Sequence, residues 1–146
     1  MNGKDFIDLA VKLGNGATEA EYRTSVSRSY YGAFHEALEL LAEMGVKLPG
    51  GPEAHQKLRY CLLQCGEPAG TEAGEKLQSL RNERNTADYN LTTRRGGVRQ
   101  NAVFQTRVAS EVLDALGQCR QEPAKSRFRA KVRAYVAQTL RLPLSE

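Results

Sequence analysis

Arg81, Arg84, Asn85, Asp88 and Tyr89 fall within the single stretch "RNERNTADY". Guanidinium groups hold phosphate oxygens, a carboxylate can anchor or oppose them, and a phenol hydroxyl can pass a proton. The stretch reads as the end of a helix. Advancing about 100° per residue from Arg81 places Leu77, Leu80, Ala87 and Leu91 between about 240° and 320°. Arg84 falls near 300°, in the middle of that apolar stripe, with Asp88 near 340° and Asn85 near 40°. Asn82, Glu83 and Thr86 point elsewhere, toward solvent. Losing the water around an arginine costs several kcal/mol unless it gains a partner. Two readings stay open. In the first, Arg84–Asp88 is a structural ion pair. In the second, the polar face lines a cleft or subunit interface and meets an anionic ligand.

The elements that must position these residues are helices. Hydrophobic spacing follows a period of about 3.6 throughout, and no period-2 run stands out. The spacing predicts helices over 3–14, 18–45, 53–66, 71–89, 97–120 and 123–140. Thr18 is the expected cap of the second, with Glu21 completing a capping box. On the first, Phe6, Leu9, Val11 and Leu13 are available for burial. On the second, Tyr22, Val26, Tyr30, Ala33, Ala37, Leu40 and Met44 share one stripe, and Tyr31, Phe34, Leu38 and Leu41 a second. "EPAGT" reads as a break, with Thr71 capping the fourth helix. Val103, Phe104, Val108, Val112, Leu113 and Leu116 are expected inward on the fifth, and Phe128, Val132, Tyr135 and Val136 on the sixth. The expected fold is an all-α antiparallel bundle of five to six helices forming one domain over 1–146.

Apolar residues make up 40% of the chain and charged residues 26%, as in folded globular proteins. No stretch is long and apolar enough to span a membrane. Asp5 and Asp8 interrupt the run a signal peptide needs, so the chain is expected to be cytoplasmic. Cys61, Cys65 and Cys119 are read as buried thiols. Together with His55 the first two offer three ligands, one short of a structural zinc set, so neither metal nor cofactor is expected. "LPGGPE" lacks the lysine and threonine of a phosphate cradle and reads as a turn. Net charge is +4, concentrated between Arg81 and Arg107 and again between Arg120 and Arg141. Such a balance suits a protein that meets phosphates. Arg94 and Arg95 in "TTRRGG" read either as solvated loop charge or as a phosphate-contacting rim. The last helix reads either as an amphipathic cap or as an extension of an RNA- or protein-binding surface.

"YRTSVSRSYYGAFHEALELL" followed by "LRNERNTADY" resembles the HEPN family (higher eukaryotes and prokaryotes nucleotide-binding). The likeness rests on Ser27, Arg28, Tyr30, Tyr31, Ala33, Phe34, His35 and Ala37, then on Arg84, Asn85, Asp88 and Tyr89. It spans roughly 18–116; the basic helix over 123–142 lies outside it. The resemblance implies a homodimeric helical bundle and metal-independent cleavage of RNA, in toxin–antitoxin or phage-defence settings. It equally admits a non-catalytic subunit that binds RNA, a nucleotide or a partner such as a nucleotidyltransferase-type antitoxin. In active members an arginine is followed a few positions on by a histidine. Here those positions hold Tyr89, Asn90 and Leu91 after Arg84, and Thr86, Ala87 and Asp88 after Arg81. The site residues so implied are Arg84, Asn85, Asp88 and Tyr89 for chemistry, with His35 replacing the missing histidine from the neighbouring helix. Arg81, Arg84, Arg94 and Arg95 would bind phosphate, with Tyr30 and Tyr31 as supporting core and interface aromatics.

Overall fold

Caps and breakers set where the helices begin. Asn2 and Asp5 cap each other's backbone N–H groups at the start of α1, Gly3–Gly14. Thr18 accepts from the Glu21 N–H at 3.2 Å and donates to the Glu21 carboxylate at 2.8 Å, opening α2, Glu19–Glu43. The turn "MGVKLPGGPE" separates α2 from α3, Ala54–Leu63, and Gly66 with φ +74° follows α3. The expected break at "EPAGT" is instead the first turn of α4, Pro68–Tyr89. Pro68 suits that turn because the missing N–H would have had no helical partner, and the Thr71 N–H already bonds the Glu67 carbonyl at 3.1 Å. Then come α5, Arg99–Cys119, and α6, Ala124–Tyr135, which continues into a π-helical turn over Val136–Leu140.

The computed structural model describes residues 1–146. The fold is all-helical with no strand, as the spacing predicts. No helix is long and apolar enough to cross a membrane. Two compact units emerge: Met1–His35 with Lys76–Val112, and Glu36–Glu75 with Leu113–Glu146.

The first unit contains "RNERNTADY". On α2 the expected stripe is buried, Val26, Tyr30 and Ala33 among it. On α1 the buried face differs from the expected one: Gly3, Ile7, Ala10 and Gly14 turn inward, while Leu9 and Val11 stay exposed. Small residues win because the two backbones approach closely. A Cβ on Gly32 of α2 would stand 2.7 Å from the Gly3 carbonyl oxygen, and Ser25 donates to the Ala10 carbonyl at 2.7 Å. The same logic rotates α5. Ala102, Gln105, Val108, Ala109 and Val112 face inward, and Val103 and Phe104, expected inward, are exposed. The buried Gln105 amide nitrogen donates to Asn101 at 3.1 Å, while its amide oxygen is buried without a hydrogen-bond partner. Lys76 and Glu111 tie α4 to α5 at 2.6 Å.

The second unit buries Leu58 and Leu62 of α3 with Phe128, Val132 and Val136 of the α6 region, the last three on the expected face. Three of its arginines are fastenings. Arg120 pairs with Glu43 at 2.9 Å and Arg127 with Glu67 at 2.6 Å. Arg133 donates to the Met44 carbonyl at 3.0 Å and the Ser145 carbonyl at 2.5 Å. Cys61, Cys65 and Cys119 are buried free thiols, and burial pushes Cys61 and Cys119 up to about 12.

Candidate anion site on the fourth helix

Leu77, Leu80 and Ala87 define the buried stripe of α4, as the helical spacing predicts. Leu91 does not join it. The helix ends at Tyr89, so Leu91 sits in the following turn, 69% exposed. Arg84 lies at the edge of the stripe with 16% of its side chain exposed. Its Nε donates to Asp88 at 3.1 Å, Nη1 to the Asn85 side chain at 2.9 Å, and Nη2 to the Tyr89 hydroxyl at 3.3 Å. Four residues of the motif are therefore one hydrogen-bonded group centred on the guanidinium.

The group reaches α2 in two ways. Ser27 donates to the Asp88 carboxylate at 3.2 Å, and Arg28 Nη2 donates to Ser27 at 3.4 Å. The second link is stacking. Arg28 Cζ lies over Phe6 at 4.9 Å and over Tyr31 at 5.1 Å; Arg84 Cζ lies over Tyr31 at 5.0 Å and over Tyr89 at 5.3 Å. Cation and aromatic alternate in a ladder: Phe6, Arg28, Tyr31, Arg84, Tyr89. Each contact is within the roughly 6 Å over which a ring quadrupole attracts a cation. Tyr30 packs edge-on against Tyr31 at 5.3 Å and is buried. Burial raises its phenol, and the charges of Arg81 and Arg84 pull the other way.

The charges do not balance. Arg28 and Arg84 are cations stacked on Tyr31, Arg81 acts on Tyr30 through its charge, and Asp88 is the carboxylate paired with Arg84. Such an excess beside aromatic rings attracts an anion. No group of three or more His, Cys, Asp and Glu side chains is placed to hold a metal ion.

His35 is exposed, and its ring contacts are Phe6 at 5.8 Å and Phe34 at 5.4 Å; Arg84 is not among its partners. Glu83, expected in solvent, is mostly covered because Arg95 pairs with it at 2.5 Å and the Asn101 amide donates to it at 3.4 Å. Arg95 thus has a carboxylate of its own, while Arg94 is exposed.

One residue was not singled out by sequence reasoning. Arg23 of α2 is 7% exposed, and its guanidinium closes the C-terminal end of α4. Nη1 donates to the carbonyls of Ala87 and Asn90 at 3.0 Å and of Thr86 at 3.5 Å; Nη2 donates to Leu91 at 3.3 Å and Thr93 at 2.7 Å. Nε pairs with Glu19 at 2.9 Å. The last carbonyls of a helix lack intrahelical donors and carry the negative end of its dipole, so a cation satisfies both needs. Gly96 closes over the group: a Cβ there would stand 3.0 Å from Arg23 Nη1. The available signal was an arginine on the buried side of α2, one turn after Glu19.

Comparison with models of known protein families, with curated proteins and with solved structures finds no match to this chain.

Proposed function

We propose that the chain is an RNA-directed protein of HEPN type, and that Arg28, Arg81 and Arg84 bind its phosphates. The observation that carries this reading is the cationic excess beside Tyr30 and Tyr31: Arg28 and Arg84 stack on Tyr31, the charge of Arg81 acts on Tyr30, and one carboxylate, Asp88, is paired with Arg84. The meeting of the two motif stretches, through Ser27–Asp88 and Arg84–Tyr31, supports the HEPN likeness. On this reading the chain acts as a homodimer in a toxin–antitoxin or defence setting. Binding needs only the arginines. Strand cleavage is the second form of the proposal, favoured by the exposed Tyr89 hydroxyl beside Arg84. There the RNA 2′-hydroxyl attacks the adjacent phosphorus and gives its proton to water, the arginines hold the charge that develops on the phosphate, and Tyr89 protonates the departing 5′-oxygen and takes a proton back from water, leaving a 2′,3′-cyclic phosphate and a 5′-hydroxyl.

The test is the salt dependence of binding to a single-stranded RNA. Each lost phosphate contact flattens the slope of log K against log salt by about 0.7. Arg81→Ala with Arg84→Ala should flatten it by about 1.4. An unchanged slope removes the phosphate site. Incubation of wild type with structured RNA in chelator separates the two forms. Cleavage that disappears in Arg84→Ala makes the protein a nuclease; intact RNA leaves it a binding module.

A further inference from the structure

The ladder on α4 is closed at one end and open at the other. At the closed end Phe6 is half-buried and carries the His35 ring against it at 5.8 Å. At the open end Tyr89 is 75% exposed, although it is a large aromatic in the last turn of a helix with a buried stripe. Its ring is held on the protein side by Arg84, whose Cζ lies over it and whose Nη2 bonds its hydroxyl. The rest of the ring meets no other aromatic or cation. Leu91, two residues on, is also exposed.

We infer that Tyr89 is a stacking subsite for an unpaired nucleobase, forming the next rung of the ladder while the phosphate attached to that base lies on Arg81 and Arg84. This rests on the proposed phosphate site and adds to it a requirement that the base be free of a complementary strand. A positively charged track with an exposed aromatic ring beside it is the arrangement that holds single-stranded nucleic acid, because every base has a π-face. A base paired in an A-form helix keeps its faces inside the stack and offers none to Tyr89. The immediate neighbour of the ring is a guanidinium, whose charge favours a ligand that carries phosphate next to its ring.

Three RNA probes of one sequence distinguish the contributions: a single strand, the same strand annealed to its complement, and the same strand with abasic positions. A free mononucleotide serves as competitor. Wild type should bind the single strand about tenfold more tightly than the abasic strand, the range of one stacked base. Tyr89→Leu should lose that advantage, and Tyr89→Phe should keep it. A 2-aminopurine placed in the strand should be quenched by wild type and Tyr89→Phe but not by Tyr89→Leu. The residue is exposed, so unchanged circular dichroism is expected for both variants. Competition by the mononucleotide in proportion to its base would assign the same subsite to a free nucleotide. The inference is overturned if Tyr89→Leu binds all three probes as wild type does. If at the same time the salt slope still flattens in the double arginine variant, the phosphate site stands and only the base subsite falls. Absence of binding to every probe overturns both.

Discussion

Replacing Arg23 by methionine keeps most of the aliphatic stem and removes the guanidinium. The five carbonyls it serves, those of Thr86, Ala87, Asn90, Leu91 and Thr93, then lose their shared donor. A hydrogen bond to a charged group contributes about 1.5–3 kcal/mol. The five do not add, since two are at 3.3 and 3.5 Å and one guanidinium makes them all. Removing one partner from a buried charged group costs about 3–5 kcal/mol. Water can reach the acceptors in the turn after α4, so the lower end, about 3 kcal/mol, is expected. For a chain of this size that lowers Tm by about 6–12 °C. Urea unfolding followed by far-ultraviolet circular dichroism measures the loss, and amide exchange over 87–97 locates it. Arg23→Lys should recover only a minor part, because an ammonium on a flexible stem does not span five acceptors. Glu19→Gln is the control. Glu19 is 58% exposed, so its removal should cost below about 1 kcal/mol. If Arg23→Met costs no more than Glu19→Gln, the ion pair and not the helix cap is what Arg23 contributes.

Two further outcomes follow from the second unit. Gly45 has φ +79°, and a Cβ on it would collide with the Arg133 guanidinium and the Ser145 carbonyl oxygen. Gly45→Ala should cost about 2 kcal/mol, combining left-handed strain with a displaced Arg133, and should speed amide exchange in 142–146; a loss below about 0.5 kcal/mol would refute the close approach. Burial holds Cys61 and Cys119 up to about 12 when folded, against about 8.5 in the unfolded chain. Between those values the unfolded state releases thiol protons that the folded state keeps. Stability is therefore full below about pH 8.5 and falls above it, by about 1.4 kcal/mol per pH unit per thiol. Urea unfolding at about pH 8.5 and about pH 10.5 should show a shallower decline for Cys61→Ala than for wild type, and equal declines would reject the buried-thiol account.

Helix number and order were legible because apolar period and breakers act locally. The faces of α1 and α5 were not. Choosing Leu9, Val11, Val103 and Phe104 as inward assumes that the largest apolar residue wins, but Gly32 and Ser25 bring α1 against α2 at a distance only small residues tolerate. The start of α4 was missed for a related reason: Pro68 and Gly70 act as breakers inside a helix and not at its first turn. Within the site, Arg84–Asp88 was legible because i,i+4 spacing fixes it. The Glu83–Arg95 pair depends on how the chain returns after α4, which no local pattern states.

The same distinction governs the charge. A run of seven basic residues from Arg120 to Arg141 suggests a polyanion-binding face, yet Arg120 and Arg127 hold carboxylates and Arg133 holds the end of α2. Arg23 holds the end of α4 in the same way. A guanidinium suits this work because its planar fork satisfies several acceptors at once and keeps its charge when half-buried. Net charge therefore says little about where an anion would bind. What distinguishes Arg28 and Arg84 is that their guanidiniums stack on rings, Arg28 on Phe6 and Tyr31 and Arg84 on Tyr31 and Tyr89, with one carboxylate, Asp88, paired with Arg84. An aromatic face lowers the cost of removing water from a cation without neutralising it, so the charge stays available to a ligand. A carboxylate or a row of carbonyls uses that charge up. The ladder is thus the place in this fold where stacking on Phe6 and Tyr31 retains the positive charge of Arg28, while Arg84 beside it shares its charge with Asp88.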